Sequence, residues 1–80
     1  MYFTYILRSL KDGTFYKGVT ADLPKRLTTH NSGKVRSTKS RRPWIIHYYE
    51  EFDNKTDAIK REKFFKSYDG YLWLKSKGIL

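Results

Sequence analysis

Eighty residues without a single cysteine must be held together without any disulfide. A chain this short buries only about 60% of the surface its unfolded form exposes, which leaves room for one core and one domain over residues 1–80. Seven tyrosines, five phenylalanines and two tryptophans supply the bulk such a core needs. The absence of cysteine also excludes disulfide frameworks, thiolate zinc sites and cysteine nucleophiles, so any metal must sit on oxygen or imidazole. No run approaches the ~18 apolar residues of a membrane span, and Met1 to Leu7 has neither the basic start nor the length of a signal peptide. A cytoplasmic location is the resulting expectation.

Charge sets the partner class. Seventeen Lys and Arg against eight Asp and Glu give a formal charge of +9 and a pI near 9.9, a positive field suited to a polyanion. Nucleic acid is the default partner, DNA ahead of RNA. Binding to an anionic membrane surface requires a basic helix with a clean apolar face, whereas the basic residues here are spread over several elements.

Tyr2 to Arg8 is rich in β-formers, and Asp12-Gly13 signals a hairpin turn into a second strand over Thr14 to Val19. If paired residue numbers add to an odd value, Tyr5 and Tyr16 share a face; an even value separates them. Asp22 as N-cap, Pro24 in the first turn and Asn31-Ser32-Gly33 as a stop predict a helix from Leu23 to Asn31. On that helix Leu23, Arg26, Leu27 and His30 fall within an arc of roughly 100°. Gly33 to Pro43 has no periodicity and interleaves five basic residues with Ser, Thr and Gly, the pattern of a mobile basic loop. Trp44 to Tyr49 is nearly continuous apolar and reads as a strand covered on both faces, with Glu50 to Asp53 leading out to solvent. Asn54 caps a helix running to about Lys66, with Ala58, Ile59 and Phe65 inward and Glu62 in the middle of their arc. Asp69-Gly70 breaks the pattern before a short terminal helix from Tyr71. The expected fold is a small α+β domain of order ββαβαα, with a three-stranded sheet and the third strand beside the hairpin.

Four kinds of residue carry chemistry. Glu62 on an apolar face is either half of an ion pair, with a partner such as Arg26, or a ligand for Mg²⁺, which needs only one or two protein carboxylates. Arg26 and His30, four apart, either pack at a helix edge or offer an inward guanidinium that clamps a phosphate with two parallel bonds. His30 and His47 lack the spacing of a zinc motif. Tyr5 and Tyr16 fill the core or direct a hydroxyl at a water; an ordinary phenol leaves about one in a thousand ionised at pH 7, and a nearby cation would raise that fraction. Lys34, Arg36, Lys39, Arg41 and Arg42 in the loop, with Lys17 on the second strand, are expected phosphate contacts without base specificity.

The ordered set Tyr5-Ile6-Leu7, Tyr16-Lys17-Gly18, Leu23 to Arg26, His30-Asn31-Ser32-Gly33, Arg41-Arg42-Pro43-Trp44 and Ala58 to Lys66 resembles the GIY-YIG nuclease domain, in particular its small stand-alone bacterial members. The resemblance covers most of the chain. It implies a three-stranded antiparallel sheet flanked by helices and an endonuclease that cuts a DNA phosphodiester with one divalent metal, Mg²⁺ or Mn²⁺. Tyr5, Tyr16, Arg26, His30 and Glu62 match its catalytic positions, Glu62 being the metal ligand and Gly18 the glycine of the second signature. Three departures stand out: Phe3-Thr4-Tyr5 lacks the first glycine, Lys17 occupies the middle of the second motif, and no Asn follows Asn54. A non-catalytic nucleic-acid-binding module of the same fold, in a DNA repair assembly, is the alternative.

Overall fold

The computed structural model describes residues 1–80. Strands β1 (Tyr2–Ser9), β2 (Phe15–Thr20) and β3 (Trp44–Phe52) form one antiparallel sheet in the order β2-β1-β3. Helix α1 (Leu23–Asn31) covers one face, and α2 (Lys55–Phe65) with α3 (Tyr68–Ser76) covers the other, so the order is the expected ββαβαα. No helix is long and apolar enough to cross a membrane.

The hairpin closes through local hydrogen bonds. Ser9 Oγ accepts from the amides of Lys11 and Asp12, the Asp12 carboxylate accepts from the Thr14 amide and hydroxyl, and Gly13 takes φ +75°, where a Cβ would be strained. The resulting register sets Tyr5 opposite Gly18 and Leu7 opposite Tyr16. Paired numbers therefore add to odd values, and Tyr5 and Tyr16 are diagonal neighbours on one face, as one of the two expected registers requires.

Two small cores lie on either side of the sheet. Tyr5, Leu7, Leu23 and Trp44 are buried under α1, with Phe3, Tyr16, Leu27 and Ile46 packed around them. Ile6, Phe65 and Leu74 are buried under α2 and α3. The strand covered on both faces is therefore β1, where Thr4 to Leu7 are all buried, and not the apolar run in β3. β3 is an edge strand whose exposure alternates, with Ile45 and Tyr49 open to solvent. Aromatic bulk on that edge shields the central strand. β3 also continues through Glu50 to Phe52, because Glu50 has a partner: Arg61 of α2 holds it at 2.8 Å. A bulge between Ile6 and Leu7 reverses the alternation of β3, so that Trp44 and Ile46 join the α1 core while Tyr48 joins the α2 core.

Caps fall where short polar side chains allow. Asp22 accepts from the Lys25 amide and Asn54 from the Asp57 amide, as expected of both. The third helix starts earlier than Asp69-Gly70 suggests, since Ser67 accepts from the Gly70 amide and draws Tyr68, Asp69 and Gly70 into the first turn. Gly70 is a packing residue there: a Cβ would lie 1.7 Å from the Phe64 carbonyl oxygen. On α2, Ala58 and Phe65 are buried, Ile59 only partly so. The Thr4 hydroxyl donates to the Ala58 carbonyl at 2.7 Å and ties α2 to the central strand.

The segment from Gly33 to Pro43 is held rather than free. It contains a 3-10 turn over Lys39–Arg41, buries Thr38 completely, and is tied down by the Ser9 hydroxyl donating to the Arg41 carbonyl at 2.6 Å. Asn31 closes its far side by donating to the Trp44 carbonyl and accepting from the Trp44 amide, at 3.0 and 2.7 Å. Such bonds carry no periodicity, and only the folded chain brings their partners together.

Candidate active site

Four of the five expected catalytic residues converge on the α1 face of the sheet. Tyr5 lies almost entirely buried on the central strand. Its ring rests on Gly18, the residue directly opposite; a Cβ there would come within 2.5 Å of the Tyr5 hydroxyl. Glycine in the second motif is thus a steric requirement of the tyrosine in the first. Helix α1 brings Arg26 and His30 down on the same spot, four residues apart on one face. Arg26 Nε donates to the Tyr5 oxygen at 3.4 Å, and Tyr5 O–H lies 3.1 Å from His30 Nε2. Tyr16 packs beside them, its ring centroid 4.9 Å from that of His30 and 6.4 Å from that of Tyr5.

The balance of donors and acceptors decides the protonation of these side chains. Arginine has no acceptor, so the Tyr5 oxygen must accept from Arg26. The buried Tyr5 proton then has only His30 Nε2 to go to, which requires that nitrogen to be bare. His30 accordingly carries its proton on Nδ1, 2.8 Å from the hydroxyl of Thr38. Thr38 accepts it and donates in turn to the Val35 carbonyl at 3.4 Å. No buried side-chain polar atom is left without a partner.

Electrostatics agree with that assignment. Burial, with the Arg26 charge second, holds His30 down at about 4, so it is neutral at pH 7. Burial raises the Tyr5 phenol, and the lowering by Arg26 does not offset it. Arg26 thus lowers the Tyr5 phenol as expected of a neighbouring cation, but desolvation is the larger effect and the net shift is upward. Arg26 is held above its ordinary value by its bond to Tyr5, with Tyr16 also contributing.

Glu62 stands on α2, which packs along β1 and β2, close enough for its charge to act on the Tyr5 phenol. Its ion-pair partner is Lys66 one turn on, at 3.4 Å, and not Arg26. One carboxylate oxygen is left without a hydrogen bond. No three His, Asp or Glu side chains are grouped as a metal cage. A lone carboxylate suits a hydrated Mg²⁺ or Mn²⁺ and is the wrong donor set for zinc. His47 belongs to the other face of the sheet, bonded to the Ile79 carbonyl and packed on Phe15, far from any pairing with His30.

The expected phosphate contacts divide into three groups. Lys34, Arg36 and Lys39 are exposed, and their side chains make no hydrogen bond. Arg41 stacks on Trp44 and donates to Thr14 and the Ser37 carbonyl, while Arg42 donates to the carbonyls of Lys39 and Asn31. Both arginines are built into the loop. Lys17 projects to the opposite sheet face, where burial and the Lys66 charge lower its pKa. Beside Arg26 opens a polar recess lined by Thr20, Asp22, Lys25 and Thr29. Thr38 completes the site without having stood out in the sequence, since a threonine in a basic loop gives no sign that it will be buried against a histidine; Asn31 and Trp44, quoted as parts of the motifs, join it there.

A phenol, a guanidinium and an imidazole lie together on one face of a three-stranded antiparallel sheet flanked by helices, the fold that the resemblance to a GIY-YIG nuclease domain implied. The family model for the GIY-YIG catalytic domain matches residues 1–70, and the chain belongs to that family. UPF0213 protein YsiG of Lactococcus lactis subsp. lactis is 53% identical over 66 residues, spanning 81% of this chain and 62% of that protein. A UPF0213 protein of Bacillus pumilus is 44% identical over 68 residues, 84% of this chain and 68% of the relative. Matched segments thus span about two thirds of the length of these relatives. The solution structure of UPF0213 protein BH0048 from Bacillus halodurans aligns with a TM-score of 0.54 and 34% identity, over 95% of this chain and 84% of that one.

Proposed function

We propose that the chain is a Mg²⁺- or Mn²⁺-dependent endonuclease that hydrolyses DNA phosphodiester bonds with structure selectivity or weak sequence specificity. The observation that carries this reading is the meeting of Arg26, Tyr5, Tyr16 and His30 at one point on the sheet. Arg26 is held to Tyr5 through Nε, lies beside Tyr16, and is the group to stabilise the pentacovalent phosphate. Tyr16 orients or deprotonates the attacking water, and His30 assists by hydrogen bonding through Tyr5. Glu62 would hold the divalent ion, which when bound supplies charge neutralisation at the leaving oxygen.

The Glu62–Lys66 pair supports a second reading, in which the carboxylate is structural and the domain binds nucleic acid without cutting it. One experiment separates the two. Flapped, branched, nicked and linear DNA and matching RNA are incubated with the protein in Mg²⁺, Mn²⁺ or EDTA. Metal-dependent cleavage is expected, abolished in Glu62→Ala and reduced about a hundredfold or more in Tyr16→Phe and Arg26→Ala, since loss of one stabilising donor costs about 3 kcal/mol. Salt-sensitive binding with no cleavage of any substrate would establish the binding module.

A further inference from the structure

Thr38 is the one fully buried residue of the basic loop, and its hydroxyl ends a chain that begins at the Arg26 guanidinium. Nothing in the sequence assigns it a role. We infer that Thr38 is a positioning residue for Arg26: by accepting from His30 Nδ1–H it leaves Nε2 bare to take the Tyr5 proton, which turns the Tyr5 oxygen toward Arg26 Nε and holds the guanidinium by that edge so that it can meet a phosphate. This inference rests on the nuclease reading for its consequence in catalysis, though not for its geometry.

Each link follows from which groups can donate and which can accept. Tyr5, His30 and Thr38 are buried, so no water competes for their bonds. Were Nε2 protonated, it would donate to the Tyr5 oxygen, and the phenol proton would face Arg26, which accepts nothing. A buried donor would then be orphaned, a costly outcome. Thr38 avoids it by presenting an oxygen at Nδ1 while passing its own proton to the Val35 carbonyl. The Trp44 indole holds the same turn by donating to the Thr38 carbonyl at 3.0 Å, which fixes the hydroxyl's approach. Tyr5, on this account, aims the arginine rather than activating water, and its raised phenol is suited to that task.

The imidazole tautomer is read directly by long-range ¹H–¹⁵N correlation on the full chain without DNA. Wild type and Thr38→Ser are expected to show His30 protonated on Nδ1, with a protected Arg26 Nε–H signal; in Thr38→Val the Nε2-protonated form is expected to appear and the Arg26 signal to lose protection. Cleavage kinetics on the same proteins should show kcat reduced by up to about a hundredfold in Thr38→Val, with DNA affinity unchanged and Thr38→Ser restoring the rate. An Nε2-protonated His30 in wild type, or an unchanged tautomer in Thr38→Val, overturns the inference. Should Thr38→Val fail to fold, the tautomer in wild type and Thr38→Ser decides. A protein that shows the expected tautomers and cuts no DNA would sink the nuclease reading while the hydrogen-bond chain stands.

Discussion

Tyr5 illustrates how little of a residue's chemistry is set by its type. Placed on the central strand it has no water, one acceptor and one cation, and desolvation outweighs the cation. The same burial acts on His30 and gives a pH dependence with a definite sign. Its value is held near 4 in the folded chain against about 6.5 unfolded, so the unfolded state binds more protons between those limits. Stability supplied by neutral His30 is whole above pH 6.5 and is lost as the pH falls toward 4, by up to about 3 kcal/mol. Denaturant titrations at constant ionic strength should show that decline, and the slope should flatten in His30→Gln. Gly18 is the second decisive residue: a Cβ 2.5 Å from the Tyr5 hydroxyl forces ring or strand to move. Gly18→Ala should cost about 1–3 kcal/mol and break the Tyr5–His30 bond, which the His30 ring resonances would register.

Among the elements, α2 depends most on tertiary partners, since its sequence is only weakly amphipathic and few of its residues are buried. Three interactions hold it. Thr4 bonds its Ala58 carbonyl, Arg61 pairs with Glu50 while lying 4.5–4.9 Å from the ring centroids of Trp73, Phe64 and Phe65, and α3 packs through Gly70. Tyr48 donates to the same Glu50 carboxylate, and burial with that bond raises its phenol to about 12. Because Glu62 is carried by this helix, displacing α3 should disturb the site from a distance. Gly70→Ala would push a methyl into the Phe64 carbonyl, so unfolding free energy should fall by about 3 kcal/mol and amide exchange should quicken in both helices.

Over the whole molecule, the charge of +9 is divided between residues that build and residues that are free. Arg41, Arg42 and Arg61 are engaged in stacking or hydrogen bonds, whereas Lys34, Arg36 and Lys39 project from the loop. Affinity for DNA should fall steeply with salt. Neutralising Lys34, Arg36 and Lys39 one at a time should flatten the logarithmic slope by roughly one for each phosphate that no longer meets a cation. Arg41→Gln and Arg42→Gln are expected to lower the melting temperature as well, which thermal denaturation would separate from the electrostatic effect.

Local chemistry wrote much of this domain into the chain. Asp22, Asn54 and the Asp12-Gly13 turn act over three or four residues, so their helix starts and hairpin were legible without the fold. Helical spacing alone brought Arg26 to the side of His30 and put Glu62 among apolar neighbours, and the motif order joined them to Tyr5 and Tyr16. The cation Glu62 meets, Lys66, stands only one helical turn away, whereas tertiary structure decided which of two β registers brings the tyrosines together and which apolar strand becomes central. Thr38 is the plainest case. Its neighbours are Lys, Arg and Ser, yet it ends fully buried against a histidine eight residues away, because a buried donor must find an acceptor and only the closed loop supplies one.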